Sequence, residues 1–220
     1  MKRQWLYFAG IILILAMTSI AYAVPYPYRE YEMQEPANLQ EASIIYSSLC
    51  GEYMVYQQKE TESSYPWSNI GYAMLLSPEV LDAAINRLAE YELWTPKEKE
   101  TRRQEYFSLF IDDTISFMVG LMEDVDVDEG DYRNLNSANI IRLVLETDQA
   151  KRYTALKTEN ISDTDVLIDK FSFSSGDNRV YFQRYDDNGV QIIDEDTQWI
   201  RLWVVSRENR IFFEFAFDNK

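Results

Sequence analysis

The chain of 220 residues carries 21 basic against 37 acidic side chains, a formal charge of −16, and it contains no histidine. An acidic surface of that size repels phosphate backbones and anionic lipid head groups, which excludes nucleic acid and anionic membranes as partners. The lack of histidine removes Ser-His-Asp and Cys-His machinery and every His-ligated metal site.

Met1-Lys2-Arg3 is a basic start, Leu6 to Met17 is almost wholly apolar, and Ala21-Tyr22-Ala23 has the small-x-small pattern of a cleavage site. The apolar run is short for a membrane span, which needs roughly 20 residues. Residues 1–23 therefore read as an export signal, leaving no stable membrane span after cleavage. Losing Lys2 and Arg3 lowers the charge of −16 by two, to −18. In Val24-Pro25-Tyr26-Pro27-Tyr28 two prolines alternate with tyrosines and favour extended backbone, so residues 24–36 are expected to be a tether.

Asn38 and Glu41 have capping-box spacing, and Ala42, Tyr46 and Leu49 follow at helical intervals, which predicts a helix over 39–50 ended by Gly51. Alternation in Tyr53-Val55-Gln57 and again in Tyr72-Met74-Leu76 predicts a β-hairpin over 52–76, with a longer helix through 58 as the rival. Ser77-Pro78-Glu79 starts a second helix, with Ser as N-cap, Pro in the first turn and an acid at the positive end of the dipole. Thr95-Pro96-Lys97-Glu98 starts a third. The link between them is short, so they are expected to form a helical hairpin, and residues 37–111 form a helical lead-in.

Beyond Ile111 the period becomes two. Strands are expected near 113–122, 138–146, 151–157, 165–173, 179–185, 197–205 and 210–217, with turns at Asp187-Asn188-Gly189 and Arg207-Glu208-Asn209. Seven short strands with turns between them predict an antiparallel β-sandwich over 112–220. The fold class is α+β.

Several groups invite a chemical reading. The acids from Asp124 to Asp131 resemble a calcium loop, but counting from Asp124 the Gly falls one place late and position twelve is Leu135, where a bidentate Glu is needed. A solvated acidic loop is the plainer expectation. Asp112-Asp113 and Asp186-Asp187 are the carboxylate pairs to examine for glycoside hydrolysis. Tyr181, Tyr185, Trp199, Trp203 and Phe213 either form a carbohydrate-stacking platform or belong to the core. Cys50, the one cysteine, has no partner in its own chain and reads as a small buried side chain. Asn160-Ile161-Ser162 matches a glycosylation sequon, to which no role is assigned. There is no Gly-rich phosphate loop and no nucleophile elbow.

From Tyr72 to Phe217 the layout resembles a group of uncharacterised exported bacterial proteins. The resemblance rests on a strand running into Ser77-Pro78-Glu79, the Thr95 to Glu98 helix start, a strand like Ile115 to Met122, and a strand with an acidic turn over Ile140 to Asp148. It closes on the aromatic C-terminal hairpin. It implies a helical hairpin joined to an immunoglobulin-like sandwich, and carries no catalytic residue across.

The expected role is that of an exported cell-envelope protein, periplasmic or extracellular, acting as a non-enzymatic binding or structural component. Its partner is another envelope protein or a glycan. The alternative is an envelope hydrolase built on a carboxylate pair. No catalytic, cofactor-binding or metal-binding residue is assigned, and no cofactor is expected.

Overall fold

The computed structural model describes residues 23–59, 71–121, 135, 140–160, 178–206 and 210–218. The export signal, the acidic run at 124–131, the strand expected at 165–173 and the turn at 207–209 lie outside the described residues. The protein is a mixed α+β fold, with three α-helices and two mostly antiparallel sheets among the described residues.

Each helix begins where its cap chemistry places it. Helix α1 (Leu39–Glu52) starts after Asn38, whose side chain accepts from the Glu41 N–H, while the Glu41 carboxylate reaches back to the N–H of Ala37. It runs through Gly51 and stops only at Tyr53, so that glycine does not end it. Helix α2 (Pro78–Glu92) is capped by Ser77, and α3 (Pro96–Phe107) by a reciprocal capping box between Thr95 and Glu98. α3 passes into a π-helical turn over Ser108–Asp112, which swings Phe110 and Ile111 into the core.

The strands are β1 (Val24–Pro25), β2 (Met54–Tyr56), β3 (Gln58–Lys59), β4 (Gly71–Leu75), β5 (Thr114–Leu121) and β6 (Ile140–Thr147). They continue with β7 (Arg152–Thr154), β8 (Lys157–Asn160), β9 (Asn178–Gln183), β10 (Trp199–Ser206) and β11 (Arg210–Asp218). One sheet has the order β1-β11-β10-β6-β7, with β3 also on β11; the other has β2-β4-β5-β9-β8. The expected hairpin exists as β2 against β4, with Val55 opposite Ala73. The stretch expected as one strand at 151–157 is two, because the chain leaves the first sheet after Thr154 and joins the second at Lys157.

Sheet, sheet and helices are stacked in three layers. Ile200, Leu202 and Val204 of β10 and Phe213, Phe215 and Phe217 of β11 are buried on the inner side of the first sheet. The Phe215 ring lies 5.4 Å from that of Phe117 on β5, which joins the two sheets. The opposite side of the second sheet carries Met118 and Arg179, which share a small cavity with Tyr46 of α1 and Val80, Leu81 and Ala84 of α2. Buried on both sides, β4 is apolar throughout apart from its glycine, rather than alternating.

Two expectations about organisation are corrected. The boundary between 111 and 112 cuts through a single sheet, since β4 pairs with β5 from Gly71↔Leu121 to Leu75↔Phe117. Residues 24–36 are not a tether. Val24 and Pro25 pair in parallel with Phe217 and Asp218, and Tyr26 donates to the Ile193 carbonyl at 3.3 Å and meets the Phe217 ring edge-on. Arg184 stacks over Tyr28 at 4.2 Å, Arg29 donates to Glu79 at 2.8 Å, and Lys99 donates to Glu35 at 2.7 Å. The prolines do impose extended backbone, but every few residues a side chain ties that strap to the body.

Candidate functional site

Strand alternation assigns the aromatic candidates to opposite fates. Along β10, Ile200, Leu202 and Val204 point inward, so Trp199, Arg201 and Trp203 point out. Phe212 and Glu214 are their outward neighbours on β11, with Trp203 opposite Phe212 and Arg201 opposite Glu214. On the other flank β6 places Glu146 opposite Arg201 and Val144 opposite Trp203. Phe213 and Tyr181, the other named aromatics, are 0% and 4% exposed and belong to the core. Tyr185 is exposed, at the bridge to Gln191. Phe212, which was not among the candidates for the platform, joins the outward face because it alternates with Phe213.

The outward face of the first sheet is thus a ladder in which rings and charges alternate. Arg201 lies 4.4 Å from the Trp199 ring and 5.0 Å from Phe212, and donates to Glu214 at 2.6 Å. Trp203 meets Phe212 at 4.8 Å between centroids, and its indole N–H donates to Glu146 at 2.7 Å. Arg152 of β7 donates to the other Glu146 oxygen at 2.9 Å. Burial works to raise the Glu146 carboxyl, but the hydrogen bonds from Arg152 and Trp203 and the nearby guanidinium charges outweigh it. Glu146 is therefore held below the usual carboxylate range. Three rings, two guanidinium groups and two carboxylates stand in fixed positions on a sheet face.

The remaining candidates do structural work. Asp186 accepts from the N–H groups of Asn188 and Val190 and shapes its own turn; the Val190 bond comes first in holding its carboxyl low. Gly189 supplies the positive φ of 76° that this turn needs. Asp112, Asp113 and Asp187 are exposed, and the Asp113 carbonyl accepts from the Arg184 N–H. Cys50 is buried, and desolvation pushes its thiol up to about 12, so it is a core group with little thiolate character. Asn160 ends β8, with the rest of its sequon outside the described residues. Among the described residues no group of three or more acidic or cysteine side chains is placed to hold a metal ion, and no helix is long and apolar enough to cross a membrane.

By fold and site this is a mixed α+β protein with an aromatic and charged outward sheet face. No family model matches the chain, and no curated protein matches it. Among solved structures it is similar to a protein of unknown function from Burkholderia pseudomallei. The two are 8% identical over 84% of this chain and 92% of the other, with a TM-score of 0.47.

Proposed function

We propose that the chain is an exported, non-enzymatic binding component of the cell envelope, periplasmic or extracellular, and that its ligand is a neutral glycan seated on the outward face of β10 and its neighbours. In this reading the two sheets form an immunoglobulin-like sandwich, with the helices as a third layer on one side. The export reading rests on the basic, apolar and small-x-small segments that open the chain.

The row Trp199–Arg201–Phe212–Trp203 carries the proposal. Sugar rings present aliphatic C–H faces, which suit aromatic surface, and a rim of hydroxyls, which suits acceptors and donors held at fixed spacing. Arg201, Glu146 and Glu214 supply both kinds of group between the rings. The charge of −16 adds selectivity, since it disfavours anionic polymers. A binding role is favoured by the way the carboxylates of the face are engaged, Glu214 by Arg201 among them. Glu146 is engaged by Arg152 and Trp203, so this acid is committed to holding the ladder.

The test is co-sedimentation of the mature chain with purified, insoluble wall polysaccharide, with Trp199→Ala and Arg201→Ala variants alongside. Binding is expected to fall about tenfold, the equivalent of ~1.4 kcal/mol, in each variant while the melting temperature stays near that of the parent. Retained binding in both variants would remove the face from consideration. Release of new reducing ends from the polysaccharide would instead make the chain a hydrolase.

A further inference from the structure

The seam between the export signal and the strap falls on a sharp change in burial. Ala23 is exposed, whereas Val24 is 2% exposed and belongs to the core. Val24 and Pro25 form β1, in parallel register with Phe217 and Asp218 of β11. Tyr26 then donates to the Ile193 carbonyl and meets the Phe217 ring, and Pro27 is buried. A peptidase that reads the small-x-small pattern holds the residues on both sides of its target bond in its own cleft. In the folded chain Val24 and Pro25 give their backbone to β11 and the Val24 side chain to the core. The Ala23–Val24 bond is therefore reached only when the strap peels away.

The seat of the strap is the last strand of the chain. Phe217 follows Val24 by 193 residues, so a chain that crosses a membrane from its N-terminus delivers that seat at the end. At the pace of synthesis, about 5–20 residues per second, the interval is roughly 10–40 s. We infer that the strap is a timed seal on its own processing site. The Ala23–Val24 bond is open throughout translocation, the arrival of β11 closes it, and a chain that folds uncut keeps its signal. The step itself is hydrolysis: the C–N bond breaks, and water supplies a hydroxyl to the Ala23 carbonyl carbon and a proton to the Val24 nitrogen. This inference rests on the export reading of residues 1–23 and is independent of the sheet face proposed for the glycan.

The test is cell-free synthesis of the full precursor in neutral detergent micelles, with a bacterial signal peptidase added at the start or only after folding. Early addition is expected to remove residues 1–23, read by mass. Late addition should cut at least about 100-fold more slowly, because cleavage then waits on the opened fraction of the strap. A second precursor carries a Gly-Ser spacer of about six residues, ~20 Å when extended, between Ala23 and Val24. The spacer leaves the strap docked but moves the bond clear of β11, so late addition should cut it as fast as early addition. A urea transition like that of the parent shows that its body is folded. Equal early and late rates for the parent would overturn the inference and leave the export reading standing. A folded spacer precursor as resistant as the parent would also overturn it, since docking of Val24 and Pro25 would not be what protects the bond. No cleavage in any arm would remove the export reading, and the seal with it.

Discussion

At the scale of single residues, two positions show how closely the chain is constrained. Gly120 lies on β5 opposite Tyr72, and a Cβ there would come 2.3 Å from the tyrosine ring. The ring crosses the strand because nothing stands in its way. Gly120→Ala is therefore expected to displace a core aromatic and destabilise the fold by about 1–3 kcal/mol, as overpacking does. A urea transition measures it, and Tyr72→Ala in the same background should remove most of the clash; two additive losses would refute the explanation. The second position is Asp82, nearly buried on α2, which takes two hydrogen bonds from Arg103 and a third from the Tyr31 hydroxyl. Asp82→Asn leaves the guanidinium facing a neutral amide. Breaking a buried pair costs about 3–5 kcal/mol, and because Arg103 is 30% exposed the loss should fall near the lower end. A loss under about 1 kcal/mol in chemical denaturation would show the pair to be screened like a surface one.

At the scale of elements, legibility tracked distance along the chain. The three helix starts were readable because a cap is a contract between residues three apart: Asn38 with Glu41, Ser77 with Val80, Thr95 with Glu98. Strand positions were readable too, since Ile200, Leu202 and Val204 alternate with Trp199, Arg201 and Trp203 whatever the partner. Which strands share a sheet was not readable. The crossing between β7 and β8 and the pairing of β4 with β5 depend on contacts that no local pattern encodes. The same reason hid the strap, whose prolines predict extension but whose partners on the body lie between 23 and 193 residues away. For the candidate face, alternation separated Phe213 from Phe212 and Trp199 and Trp203 from Ile200 and Leu202, but only the pairing of β10 with β11 brought Phe212 beside Trp203. The strap has a pH signature. Burial, aided by Glu195 and Asp194, raises the Tyr26 phenol to about 12, and burial chiefly raises Tyr53, which touches the same cluster through Glu79, to about 12. The unfolded chain loses these protons near 10, the folded one later, so their stabilising share is complete below 10 and disappears as pH climbs toward 12. Absorbance at the tyrosinate band should thus show a late-ionising fraction that titrates together with unfolding. Replacing Tyr26 by Phe should remove one late proton; a titration complete near 10 with the fold intact would contradict the burial argument.

At the scale of the whole molecule, the acidic surplus and the ladder on the first sheet pull in opposite directions as pH falls. Protonating the surface carboxylates relieves the mutual repulsion that a charge of −16 creates, which favours the folded state until the basic groups dominate. Glu146 does the reverse. Its folded-state carboxyl lies below the ordinary value of 4.5, so its contribution is present above 4.5 and is lost as pH falls through the lower, folded-state value. One acid among 37 cannot be isolated in a single acid-denaturation curve, because every other carboxylate titrates under it. A difference removes that background. Glu146→Gln keeps the shape and an acceptor for the Trp203 indole, but leaves Arg152 and Arg201 without their shared anion. Unfolding free energies from urea at pH 7, 5 and 3 should show the parent ahead by about 1–3 kcal/mol at pH 7, the range for hydrogen bonds to a charged group. The lead should be undiminished at pH 5 and largely gone at pH 3. A lead that stays constant to pH 3 would mean that packing of Trp203, and not the carboxylate charge, holds the ladder together, and the polar half of the proposed glycan face would lose its basis.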